Sequence, residues 1–251
     1  MRKYLNCLTI IFSAFLLFGC DYTDALLKDG KPVQKEVLLN NFESVDIETS
    51  VRLVLTNDTT NIAVIEGLDF IVPRLDLNQE NNVLIIDSEG MIGFREKQMP
   101  ILKLGVRNIK RITSNFPAKI TSEDTLDFEN LRIVINGRGT FTECNLNVDA
   151  GTLSLSAYGS NVGNHVFKGK AQKFNVVSEG LTSVDAFDLD AGDVTYVQKS
   201  VNTSCVRAIN NLSVRMFSSG DLYYSGNPET NITMGEPLYE VELGKVIHLS
   251  E

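Results

Sequence analysis

Between residues 139 and 220 one marker recurs with almost constant spacing. Gly139, Gly159, Gly180, Ser200 and Gly220 stand 20, 21, 20 and 20 residues apart. Six and four residues before each marker lie Ile133/Ile135, Leu153/Leu155, Phe174/Val176, Val194/Tyr196 and Val214/Met216. Every one of these side chains is apolar. A strand puts residues i and i+2 on one face, so each pair marks a short strand with one side turned to a core. A repeat of this length predicts equivalent coils stacked on one another. A single coil cannot bury its inward residues; stacking does, and each large apolar residue buried contributes roughly 1.5–3 kcal/mol.

The repeat extends in both directions. Ile112, Ile120, Leu126 and Phe128 fit one coil earlier, at offsets near that of the repeat from Ile133, Phe141, Leu146 and Val148. Asp149-Ala150-Gly151 recurs as Asp190-Ala191-Gly192, 41 residues on. Asp there is expected to bond a turn backbone while Gly takes positive φ. Residues 36–109 alternate as β-strands without the marker: Val51, Leu53 and Leu55 in one run, and a hairpin around Gln79 to Asn82. The expected organisation is a signal peptide over 1–19, a tether over 20–35 and an N-terminal β region over 36–109. Coils then fill 110–228, and a capping segment occupies 229–251.

The N-terminus reads as an address. Arg2 and Lys3 precede an apolar run, Tyr4 to Phe18, that is too short for a comfortable membrane span. It ends Leu17-Phe18-Gly19-Cys20, which resembles the lipobox of bacterial lipoproteins. Lipidation is therefore expected on Cys20, making the lipid the membrane contact. Several acyl chains at about 0.8 kcal/mol per buried CH₂ form a stable anchor. The chain is expected in the cell envelope, at the outer membrane or cell surface rather than the inner membrane. Loss of residues 1–19 removes Arg2 and Lys3 and takes the formal charge from −9 to −11. With no basic cluster to offset it, that charge argues against nucleic acid as a partner.

Of the four cysteines, Cys144 and Cys205 remain after Cys7 and Cys20 are accounted for. Both follow a marker by five residues, three coils apart. At about 4.8 Å per coil this separates them by roughly 14 Å, against about 7 Å for a disulfide. They are expected to stay unbonded, as small apolar side chains.

Several motifs carry a family resemblance. The strands Leu131-Arg132-Ile133-Val134-Ile135-Asn136-Gly137-Arg138-Gly139 and Leu153-Ser154-Leu155-Ser156-Ala157-Tyr158-Gly159-Ser160 resemble the family named "putative autotransporter adhesin, head GIN domain". The ending Gly220-Asp221-Leu222-Tyr223-Tyr224-Ser225-Gly226-Asn227-Pro228 is similar to its late Gly-x-Ile-x-Tyr-x-Gly-Asn-Pro signature, and Phe42 to Ile47 with Val51 to Leu55 to its first strands. Lys199-Ser200 departs from its Gly-Ser-Gly pattern. The resemblance implies an all-β fold: a right-handed parallel β-helix (solenoid), here with the N-terminal β region capping one end. It also implies an exported, often lipid-anchored protein, and it brings no catalytic residues.

Motifs for chemistry are sparse. His165, in Gly163-Asn164-His165, reads as part of a polar loop; with His248 it makes no zinc pattern. No metal and no cofactor is expected. Asp149, Asp185, Asp188, Asp190 and Asp193 form a candidate ligand or calcium column. Paired carboxylates serve glycosidases and clustered ones bind Ca²⁺, whereas a solvated turn column needs neither. Tyr158, Tyr196, Tyr223 and Tyr224 could stack on sugars, Tyr196 being the one that fits an inward row. The function expected is non-enzymatic adhesion, or glycan or protein binding, by an envelope lipoprotein. The alternatives are a carbohydrate-active enzyme (hydrolase or lyase) on the same fold, or a structural envelope component without its own ligand.

Overall fold

The alternating inward residues do form stacked rungs. The computed structural model describes residues 30–90, 92–93, 98–105, 109–138, 141–237 and 240–250. The expected signal peptide, Cys20, most of the tether and the marker Gly139 lie outside these residues. Within the unit Val33–Glu251 the chain forms a parallel β-helix of about six turns with one regular non-strand element, a short 3-10 turn at Val72–Arg74, among the described residues.

The long strands are β9 (Ala118–Ile135), β10 (Glu143–Ala157), β11 (Val162–Ser200) and β12 (Ser204–Met216). Each bends around corners and supplies rungs to more than one face. β9, β10 and β11 pair in parallel, as do β11 and β12. On one face Leu131 pairs Leu153, which pairs Phe174; Val194 pairs Leu212. On a second, Ile120 pairs Cys144, which pairs His165. On a third, Phe128 pairs Ala150, which pairs Ala171. At the two ends of β11 backbone bonds join it to the adjacent coil, from Leu181 N–H to the Asn161 carbonyl (2.7 Å) and from Val201 N–H to the Gly180 carbonyl (3.1 Å).

All ten ladder residues are buried. Their pairing slips at both ends, however. Ile133 lies opposite Leu155 rather than Leu153, and Tyr196 lies opposite Val214. A slip of two preserves the inward side because strand geometry repeats every two residues. For the same reason the corner row runs through Gly137: a Cβ on Gly159 would sit 3.5 Å from Gly137 Cα.

The DAG copies depart from their expected role. Neither Gly151 nor Gly192 has positive φ. Each is instead where the backbone crosses the coil below, so a Cβ would meet the Glu129 carbonyl oxygen at 2.6 Å or that of Gln172 at 2.7 Å. Close approach, not turn conformation, selects glycine there.

The N-terminal region joins the same stack, out of chain order. β2 (Ser44–Ile47) lies between β6 (Val83–Ser88) and β8 (Arg111–Ser114), parallel to both. β3 (Val51–Thr56) lies likewise between β7 (Ile101–Gly105) and β9. Beyond them direction reverses. β5 (Leu75–Glu80) runs antiparallel to β6 across the Asn81-Asn82 turn, whose φ values are 50° and 64°. β4 (Ile62–Leu68) is antiparallel to β7, and β1 (Pro32–Leu38) pairs with β4. The antiparallel strands close this end. At the other, β13 (Leu222–Ser225), β14 (Glu229–Met234) and β15 (Val246–His248) build the last rungs.

Candidate functional site

The five candidate aspartates all lie on β10 and β11. Period two turns Asp149, Asp188 and Asp190 outward, because Val148, Ala150, Leu189 and Ala191 point in. Stacking then brings each aspartate a partner from an adjacent coil. Asp149 stands between Asp127 and Lys170. Asp188 meets Lys168 Nζ at 3.3 Å, one coil below, and Asp190 meets Arg207 Nε at 3.1 Å, one coil above. Asp193 Oδ1 accepts from Asn211 Nδ2 at 2.7 Å. Asp185 Oδ1 accepts from the Phe187 backbone N–H at 3.3 Å and from Cys205 Sγ at 3.2 Å. Asp188 and Asp190 are therefore drawn toward opposite neighbours. No cluster of three or more metal-ligating side chains occurs among the described residues.

This face mixes acid and base, with Asp127 and Asp149 adjacent and Lys170 next in the row. Its cations, Lys168, Lys170 and Arg207, escape a reading of local sequence, since each sits about one coil from its acid. The signal was present in the spacing, as Lys168/Asp188 and Asp149/Lys170 stand 20 and 21 residues apart. Phe187 and Ile209 add partly exposed apolar surface nearby. Of the four candidate tyrosines, Tyr196 is fully buried and Tyr158 is exposed. Tyr224 stacks on His248 with ring centroids 4.9 Å apart.

A separate groove near the N-terminal end is bounded by Leu39, Phe42, Asp58, Thr60, Leu104 and Ile109. Among the described residues its one titratable lining residue is Asp58, which is held by Thr60. The backbone N–H and hydroxyl of Thr60 bond its two oxygens at 2.8 and 2.7 Å, keeping its carboxyl below the usual range.

Cys144 and Cys205 are both unbonded. Cys144 is buried, and burial pushes its thiol up. Burial, then Asp185, pushes the Cys205 thiol up to about 12. Neither is a thiolate nucleophile at neutral pH.

His165, expected in a polar loop, lies instead in β11 on the inward row above Cys144, buried with neither ring nitrogen bonded. Burial pushes its pKa down from 6.5 to about 4. The unfolded chain takes up this proton below pH 6.5, whereas the folded chain resists until about pH 4. His165 thus leaves stability intact above pH 6.5 and lowers it as pH falls through that window, by about 1.4 kcal/mol per unit. Replacing it by leucine is expected to flatten the decline in melting temperature between pH 7 and pH 4.5. Parallel declines in the two proteins would refute this.

The sequence pattern of the family described as "Putative auto-transporter adhesin, head GIN domain" matches residues 41–228. No curated protein matches the chain. Among solved structures, a "putative adhesin" from Bacteroides fragilis superposes with a TM-score of 0.73 at 17% identity, covering 88% of this chain and 98% of its own. Two further "putative adhesin" structures cover the same shares of the chains: one from Parabacteroides merdae (TM-score 0.63, 16% identity) and one from Parabacteroides distasonis (0.65, 16%). At this identity the likeness is one of fold.

Proposed function

The chain belongs to this head GIN domain family, and from that premise we propose that it is a non-enzymatic binding protein of the cell envelope. It is exported, held to the membrane by lipid on Cys20, and presents the outward columns of its stack to a glycan or protein. The observation that carries this reading is the arrangement of the acidic column. Four of its carboxylates fall on one coil and Asp149 lies two coils below, and those of Asp188, Asp190 and Asp193 are tied singly to Lys168, Arg207 and Asn211 rather than converging on one bond. Such a surface suits an extended, repetitive ligand: side chains recur at the rung spacing of about 4.8 Å. A hydrolase needs two carboxyls flanking one glycosidic bond, one to protonate the leaving oxygen and one to attack the anomeric carbon or activate water there. Among the described residues no helix is long and apolar enough to cross a membrane.

A glycan array read together with a reducing-sugar release assay tests the proposal. Binding without release is expected, weakened at least fivefold, or about 1 kcal/mol, in Asp188→Ala with Asp190→Ala. Sugar release that disappears in that variant would establish the enzyme instead. Labelling with a palmitate analogue is expected in the natural chain and absent in Cys20→Ser; equal label in both would remove the lipid anchor.

A further inference from the structure

The two ends of the stack differ. At the N-terminal end the parallel ladder is closed by the antiparallel strands β4 and β5. At the C-terminal end no described strand closes it. β14 repeats the rung beneath it in register, with Thr230 over Leu212, Ile232 over Val214 and Met234 over Met216. β15 does the same, with Val246 over Leu222. Rows that are fully buried one coil below surface here: Ile232 is 43% and Met234 52% exposed, against 0% for both Val214 and Met216. Among the described strands β14 pairs only with β12, so its outer edge offers unpaired backbone donors and acceptors. The edge has little of the usual protection, since apart from Glu229 the strand Glu229-Thr230-Asn231-Ile232-Thr233-Met234 carries no charge, contains no proline, and its pairing shows no bulge.

We infer that this open end docks an extended segment of another protein, which adds to β14 as one further strand. Its alternate apolar side chains cover Ile232 and Met234, and it carries lysine or arginine between them. The charge follows from the rim. Glu229, Glu236, Glu240 and Glu242 are exposed on the last coil, and Lys245 is its one lysine or arginine among the described residues. A second copy brought to this end would set the same acids against each other, whereas a basic strand is attracted. Main-chain hydrogen bonds along the edge supply affinity, and the side chains at every second position supply selectivity. This site lies at the end of the stack and is independent of the side-face reading.

The test uses the full chain and a labelled nine-residue peptide alternating valine and lysine, followed by fluorescence anisotropy. Binding is expected, weakened by added salt. It should be at least tenfold weaker for a valine–glutamate peptide and for a valine–lysine peptide N-methylated at every second residue. Ile232→Lys and Glu229→Lys should each weaken it similarly with unchanged melting, since both positions are already exposed. No binding by the valine–lysine peptide, or equal binding by its N-methylated form, overturns the inference. So does light scattering that finds a dimer dissolved by Ile232→Lys, because a second copy is then the occupant.

Discussion

Val176→Asp is expected to destroy the cooperative melting of the coils, at a cost of about 4 kcal/mol or more. Val176 is buried opposite Leu155, two residues after Phe174, whose ring meets that of Phe167 edge-on at 5.5 Å. A carboxylate placed there has apolar neighbours above, below and across. It must either stay charged without a partner or take up a proton at high cost. Solenoids add a second effect. Each coil is stabilised by its neighbours, so one failed rung uncouples those on either side. Asn175→Asp is the control: the same charge one residue away, on the opposite side of the strand, is expected to shift stability by about 0.5 kcal/mol or less. Circular dichroism melts of the two variants decide the point. Equal melting temperatures would mean that the rung is not closed from water.

That contrast also shows what was legible in the chain. Burial of Leu155, Val176 and Tyr196 could be read from alternation alone, because period two and a coil repeat act together. Register could not. Ile133 to Leu155 spans 22 residues, Leu155 to Val176 spans 21 and Tyr196 to Val214 spans 18, and corners absorb the difference without changing which side chains point inward. The placement of β2 and β3 between β6/β7 and β8/β9 was hidden for another reason: adjacency there depends on a long excursion through β4 and β5, and local pattern carries no trace of it. His165 was misread because its neighbours Gly163 and Asn164 are polar, whereas its environment is set by Ile120 and Cys144, 45 and 21 residues away. The candidate column was half visible. Its acids cluster in sequence, but the cations that answer them come from other coils.

Corners impose a stricter demand than rungs, and Gly180 shows it. Its φ is 68°, a region that costs an L-residue roughly 1–2 kcal/mol. A Cβ there would lie 2.6 Å from the Gly159 carbonyl oxygen and 2.8 Å from that of Asn161. Both obstacles are backbone of the coil below, and the bond from Leu181 N–H to the Asn161 carbonyl holds that coil in place. Strain and overlap therefore add, and Gly180→Ala is expected to cost at least about 3 kcal/mol. Gly137, in the same corner row, has open space where its Cβ would be, so Gly137→Ala should fall within about 1 kcal/mol of the natural chain. Ser200 takes the corresponding corner one coil above Gly180 without positive φ, and its hydroxyl donates to the Gly180 carbonyl at 3.0 Å. A side chain is accepted there because the backbone differs, so serine at 180 should be no better tolerated than alanine. Urea denaturation of Gly180→Ala, Gly180→Ser and Gly137→Ala separates the possibilities. If Gly137→Ala proved as damaging as Gly180→Ala, loss of glycine flexibility rather than contact with the coil below would be setting the corner.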